Sequence, residues 1–224
     1  RDTRIVAPPR RGGRALLGRM VVMNDRSSAP LADYLAALAA PTPAPGGGSA
    51  AAICAAAAAA LVEMVAGLSL ERDPLGADAT RQRAAIATAS AARTHLASLA
   101  NEDEDAYGAF IAALRLPKGD DAQRVARIEA LSHAAHTAAQ VPLRVIESCV
   151  EVAETASSLA NRTVAAAASD LEAALRLSAA AAHISAENVE ANLPYVESAD
   201  ERLRIANACA AALTRVDRIA IADR

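Results

Sequence analysis

Aromatic side chains are scarce here: no Trp, one Phe and three Tyr in 224 residues. Sheet proteins draw on aromatic and β-branched residues in alternating runs bounded by turns, and no sustained alternation occurs, so a β architecture is excluded as the leading class. Cysteine is also sparse. Cys54, Cys149 and Cys209 are far apart and each has apolar neighbours, which excludes a disulfide framework and favours reduced, buried thiols in a cytoplasmic protein. Of the four histidines, His133 and His136 are spaced i, i+3 without a Glu-x-x-His context, while His95 and His183 are isolated, so no metal site is expected. The longest strictly apolar run, Ala50 to Val62, is 13 residues with Glu63 behind it, short of a membrane span; no membrane partner is expected.

Basic charge is confined to one end. The first 22 residues hold Arg1, Arg4, Arg10, Arg11, Arg14 and Arg19 against Asp2, and the remainder has 17 basic and 25 acidic side chains, a balance that argues against nucleic-acid binding. A transit peptide or a nucleic-acid arm would share the N-terminal composition. The reading adopted is a disordered basic extension over residues 1–27, upstream of a single helical domain over 28–224. After Arg10 and Arg11 the apolar stretch is too short and too interrupted for a twin-arginine signal.

What is present is alanine, leucine and valine, in a chain that is 53% hydrophobic. Alanine is the strongest helix former and allows close helix approach, so the expected fold class is all-α, an up-and-down bundle of about six or seven long, Ala-rich helices. Leu31, Tyr34, Leu35 and Leu38 space out a short amphipathic helix. PTPAPGGGS (41–49) ends it, and Ser49 is expected to cap a helix to about Leu70 that is apolar all round and therefore central. A third helix follows Asp73, Pro74 and Gly76 and ends at Pro117. The fourth starts at Asp120 and Asp121 with Val125, Ile128, Leu131 and Ala135 inward, and Pro142 is expected to interrupt or kink it. Asn161 and Arg162 form a joint. The next helix buries Leu171, Leu175, Ser178, Ala182, Ser185 and Val189, and the last has Leu203, Ala206, Leu213, Val216 and Ala220 inward.

Four features bear on chemistry. Asp103 lies on the apolar stripe Leu96, Leu99, Tyr107, Phe110, Leu114; a carboxylate there is paired with an arginine such as Arg93 or Arg176, or surfaces, or faces a pocket. Ser169 with Glu172 fits a capping box, with Asp170 favourable in the first turn, although the four alanines before it could extend the helix backwards through that cap. Asn188 and Asn192, spaced i, i+4, offer two amides to a heterocycle or to each other and the backbone. The glycines match neither G-x-G-x-x-G after a strand nor a P-loop. They expose backbone leading into a helix start whose free N–H groups favour an oxygen-bearing ligand, or else form a tight turn that lets two helices pack.

Together PTPAPGGGSAAA, DEDAYGAFIAALRLPK, AAQVPLRVIE and SDLEAALRLSAAAAHISAENVEANL, in this order over residues 41–193, resemble the cyclodeaminase family of folate enzymes. The resemblance implies an all-α fold, usually a homodimer, acting on tetrahydrofolate one-carbon forms with the folate as substrate and no tightly bound cofactor. The expected reaction is conversion of 5-formimidoyltetrahydrofolate to 5,10-methenyltetrahydrofolate with loss of ammonia. The alternative is cyclohydrolase interconversion of methenyl and 10-formyl forms. It further implies that Gly46, Gly47, Gly48 and Ser49 wall the folate pocket, that Asp103 and Asp170 manage protons, that Asn188 and Asn192 read the pterin edge, and that Lys118 or Arg115 meets the glutamate tail. The chain departs from the family pattern in an Ala-Pro insertion before the glycines, in Asn101 where an acid is common, and in Asn161 lying three residues further from Ser-Asp. A reading from another class is a noncatalytic helical scaffold or dimeric regulator; it predicts both acids paired with basic side chains and no cleft beside the glycines.

Overall fold

A computed structural model describes residues 30–222; the basic extension expected over 1–27 lies outside them. Six α-helices account for nearly all of it: α1 (Leu31–Ala39), α2 (Gly47–Arg72), α3 (Ala79–Leu114), α4 (Asp121–Ser158), α5 (Ala168–Asn192) and α6 (Ala199–Ala222). Short 3-10 turns precede α5 (Ala165–Ala167) and follow it (Leu193–Tyr195), and there is no strand among the described residues. Each helix from α2 to α5 packs on its successor, and α2 also packs on α5, which closes a four-helix ring with α6 outside against α4 and α5.

The ring closes tightly because its inner positions on α2 are alanines: Ala51, Ala52, Ala55, Ala58 and Ala59 are fully buried, and bulk enters only through side chains such as Leu96, Leu99, Ile146 and Leu159. The expected inward face of α5 is buried throughout, from Leu171 to Val189.

Several boundaries and faces differ from expectation. α4 runs unbroken through Pro142. Val125 and Ile128 are each more than half exposed, as are most of the first ten residues of α4, which is tied to the end of α3 by Arg127 donating to the Leu114 carbonyl. Leu203 is also exposed; α6 instead buries Ile205, Cys209 and Val216. α2 is not enclosed. It is long and apolar enough to cross a membrane by composition, but half of its most apolar stretch is buried inside the bundle and one face remains open, including Cys54, expected to be buried. Cys149 is buried, which pushes its thiol up to about 12. The α4–α5 joint is at Asn161, the one non-glycine residue with positive φ (59°) among those described, where a short polar side chain tolerates the left-handed conformation that ends a helix.

Candidate active site

The 41–46 segment delivers the chain to α2 through a cis Ala44–Pro45 bond, and Gly46, extended at φ −131°, precedes the first helical residue without a side chain to cap it. Ser49, expected as the cap, is instead the third helical residue; its hydroxyl lies 3.3 Å from that of the buried Tyr34. The cap comes from another helix. Asp103 of α3 accepts a hydrogen bond from the Ser49 backbone N–H, so a carboxylate 54 residues away takes one of the N–H groups that a helix start leaves open. The expectation that these groups wait for a ligand oxygen is corrected to that extent.

The close approach explains one glycine of the three. A Cβ on Gly48 would lie 2.2 Å from Asp103 Oδ1, inside any allowed contact, whereas Cβ atoms on Gly46 and Gly47 would have no neighbour nearer than 3.7 Å and 4.0 Å. Gly48 is helical, so it is required for clearance and not for an unusual φ.

Asp103 is held in an unfavourable place for a charge. Burial raises its pKa, the Ser49 N–H opposes that rise, and neighbouring Glu104 adds to it. The arginines that could have neutralised it are engaged elsewhere: Arg93 with Glu63 at 2.9 Å and Arg176 with Glu172 at 2.7 Å. The carboxyl group opens on a cavity of about 170 Å³ between the glycines, α3, α4 and the end of α5.

Asn188 and Asn192 line the same cavity. Both amides are already engaged with the backbone: Asn188 Nδ2 donates one N–H to the Ile184 carbonyl at 3.0 Å, and Asn192 Nδ2 donates to the carbonyls of Asn188 (2.8 Å) and Ala138 (3.1 Å). The Ala138 carbonyl is free because Pro142, four residues on, has no N–H. This is also how α4 passes its proline without breaking.

Composition held one further signal, unused in the expected site. All four aromatic residues of the chain lie at this end of the bundle: Tyr107 and Phe110 line the cavity, Tyr195 meets Phe110 edge to face at 5.0 Å between ring centres, and Tyr34 supports Ser49. In a chain so poor in aromatics, Tyr107 and Phe110 at i, i+3 beyond Asp103 mark a platform for a flat ring.

Asp170 lies elsewhere. It is in the first turn of α5, 18 residues from Asn188 and so about 27 Å along the helix axis. The expected Ser169 cap does not form, since the alanine run extends the helix back to Ala168. Within one chain the cavity therefore brings together Asp103, Gly46, Gly47, Gly48, Asn188 and Asn192, with Ser49 directly behind, and not Asp170. Arg115 and Lys118 follow the end of α3, exposed and outside the lining. His136 and His183 are each held by a carboxylate, Glu201 at 2.7 Å and Asp217 at 2.9 Å.

The chain is 32% identical over 174 residues to a methenyltetrahydrofolate cyclohydrolase from Methylorubrum extorquens, covering 76% of this chain and 84% of that one. Its fold matches the crystal structure of formiminotetrahydrofolate cyclodeaminase from Thermotoga maritima with a TM-score of 0.79 at 23% identity, over 88% of this chain and 94% of the other. The family model of formiminotransferase-cyclodeaminase matches residues 30–211, which holds the glycine wall, Asp103 and both asparagines, and the chain belongs to that family.

Proposed function

We propose that the protein is a folate one-carbon enzyme, a methenyltetrahydrofolate cyclohydrolase that interconverts the 5,10-methenyl and 10-formyl forms. The observation that carries this reading is a single desolvated carboxyl group, Asp103, with no arginine partner, facing a cavity with an aromatic edge. The methenyl group is a cationic amidinium carbon, so the substrate brings its own electrophile and no resident cofactor is needed. Asp103 as carboxylate stabilises that cation and takes a proton from the attacking water to give a hydroxyl adduct; it then returns that proton to N5 as the carbon–N5 bond breaks, and the adduct hydroxyl loses its proton to solvent as the formyl C=O forms on N10. A raised pKa makes Asp103 a better base than an ordinary carboxylate.

The sequence puts ammonia release first, and that remains the second reading, favoured by the family's cyclodeaminase name. There N10 attacks the formimino carbon and a second acid protonates the leaving amine. The described cavity holds only one such group, and the 32% identical relative is named a cyclohydrolase, which moves the reading to water chemistry.

The cavity takes a bicyclic ring; ligands of folate size fill about 300–1000 Å³, so the rest of the substrate lies outside it. Arg115 and Lys118, on the same hairpin as Asp103, are the proposed partners of the glutamate carboxylates. A homodimer covers the open side of α2: Ala50, Cys54, Ala57, Leu61, Met64 and Leu68 alternate steps of four and three, a heptad stripe symmetric about residue 59 and suited to an antiparallel copy of itself. On α5, Asp170 is in line with Ala173, Leu177, Ala180 and Ile184 beside that stripe, so its catalytic role depends on the second copy. The protein is proposed to be cytoplasmic, with neither nucleic acid nor membrane as partner.

The test is to offer purified protein methenyltetrahydrofolate and 5-formimidoyltetrahydrofolate separately. Loss of the methenyl absorbance faster than spontaneous hydrolysis supports the cyclohydrolase; ammonia release with gain of that absorbance selects the cyclodeaminase; inertness to both leaves the scaffold. For the assembly, Met64→Cys is expected to give a disulfide-linked dimer through Cys54 of the second copy under oxidising conditions, and a monomer refutes it.

A further inference from the structure

A proline in the fifth or sixth turn of a 38-residue helix is costly: it removes a backbone hydrogen bond and crowds the carbonyl four residues back. Here that carbonyl belongs to Ala138, which lines the cavity, and its acceptor capacity is taken by Asn192 Nδ2 at 3.1 Å. The second hydrogen of the same amide goes to the Asn188 carbonyl at 2.8 Å. Both donors of the Asn192 carboxamide are thus fixed on backbone oxygens of two different helices. Flipping the group would point Oδ1 at two carbonyls, so the orientation is enforced by repulsion as well as by attraction. That leaves Oδ1 as the group the carboxamide can offer to the cavity that Asn192 lines.

We infer that Pro142 is a positioning residue for this site: by withholding an N–H from Ala138 it reserves that carbonyl for Asn192 and sets Asn192 Oδ1 as a fixed acceptor, so the ligand edge it meets is an N–H donor. This rests on the folate reading, in which the donor belongs to the amino-pyrimidinone edge of the pterin. An alanine at 142 restores the N–H, which competes for Ala138, and the carboxamide is freed to turn. Pro142 is itself buried and touches no ligand-facing surface in the cavity lining, so its influence passes through Asn192.

The experiment is a double-mutant cycle of Pro142→Val, which keeps the bulk of the ring while restoring an N–H, with Asn192→Ala, read as KM and kcat for methenyltetrahydrofolate. Pro142→Val alone is expected to raise KM about tenfold with kcat changed less than threefold and thermal stability held, and to add nothing when Asn192 is already Ala. Additive effects, or a Pro142→Val enzyme with unchanged KM, overturn the inference. A second arm needs no turnover: the Asn192 side-chain amide protons, followed by NMR, are expected to exchange slowly in the parent protein and fast in Pro142→Val. Equal exchange in both overturns the hydrogen-bond switch itself. Inertness of the parent protein toward folates with the exchange difference present would refute the folate reading and leave the Pro142–Asn192 device standing.

Discussion

The two ends of α2 solve similar problems with opposite results. At its C-terminal end the Ser69 hydroxyl donates to the Val65 carbonyl at 2.8 Å and accepts from the Val164 N–H at 3.1 Å, so the chain leading to α5 is anchored by a small, neutral, satisfied group. Beside it Arg162 pairs with Asp78 at 3.2 Å, and Gln82 donates to the Arg162 carbonyl. At the N-terminal end the anchoring group is Asp103, a carboxylate whose burial no cation offsets. The groove at the first end has a volume of about 650 Å³ and the cavity at the second about 170 Å³, yet the smaller one is the better candidate for chemistry. Size reflects how helix ends diverge; a desolvated charge without a partner is an expense that structure alone does not require.

The strongest way to break this contrast is Asp103→Asn. Asparagine keeps an oxygen for the Ser49 N–H and removes the charge, so kcat is expected to fall by about 10²–10⁴ while the helical signal is held and the melting temperature does not fall. Wild-type-like turnover would remove Asp103 from the mechanism. The pH dependence follows from the sign of the shift. The folded-state pKa lies above the unfolded value, so the folded chain binds this proton more tightly; the stabilisation is complete below the unfolded pKa and is lost as pH rises through the folded one. Asp103→Asn is therefore expected to gain stability relative to the parent between acidic and neutral pH. In the active enzyme the carboxylate must be ionised, so kcat/KM is expected to decline on the acid side at a pKa above the ordinary aspartate value; a limb at or below that value contradicts the assignment.

Next in size is Gly48→Ala. Its Cβ has no room against Asp103 Oδ1, and crowding of this kind costs about 1–3 kcal/mol. The cost is specific to one partner, so Asp103→Ala is expected to relieve most of it, and chemical denaturation of the four proteins in the cycle measures the coupling. Gly46→Ala and Gly47→Ala, where a Cβ would make only ordinary van der Waals contacts, are expected to cost less than Gly48→Ala. Equal costs at all three positions would mean that the turn itself, and not the carboxylate, demands glycine.

How far the sequence led depended on whether a signal was local. Asp103 was legible because a carboxylate interrupts a stripe of apolar residues on its own helix. The glycine run was legible as a feature, but its reason was not, since the atom that needs the space belongs to a residue 55 positions later. Asn188 and Asn192 were read as a pair that could meet each other, the backbone or a ligand; both meet the backbone through Nδ2 and both line the cavity. Pro142 was read as an interruption because propensity assigns it a broken hydrogen bond and says nothing about a side chain from another helix filling the gap. Periodicity placed α5 correctly, since it has neighbours on three sides, and misjudged Val125 and Ile128, since an apolar stripe does not state how long its neighbours are. Asp170 was joined to Asp103 by resemblance alone, and one chain does not bring them together.

The smallest expected effect lies at the other end of α2 and tests whether the contrast holds there. Ser69→Ala removes one hydrogen bond from the part-buried Val164 N–H, a loss that costs about 0.5–1.5 kcal/mol. The Ser69–Val164 contact is neutral on both sides, so the loss is expected to be the same at pH 5 and pH 8, and kcat is expected to stay within twofold of the parent. A stability loss that varies with pH, or a drop in kcat, would show that the Ser69–Val164 anchor is coupled to the catalytic end through α2. Since α2 is a continuous helix with buried alanines along most of its length, that coupling would have to pass as a rigid shift of the whole helix, and it would then appear in Gly48 and Asp103 variants as non-additivity with Ser69→Ala.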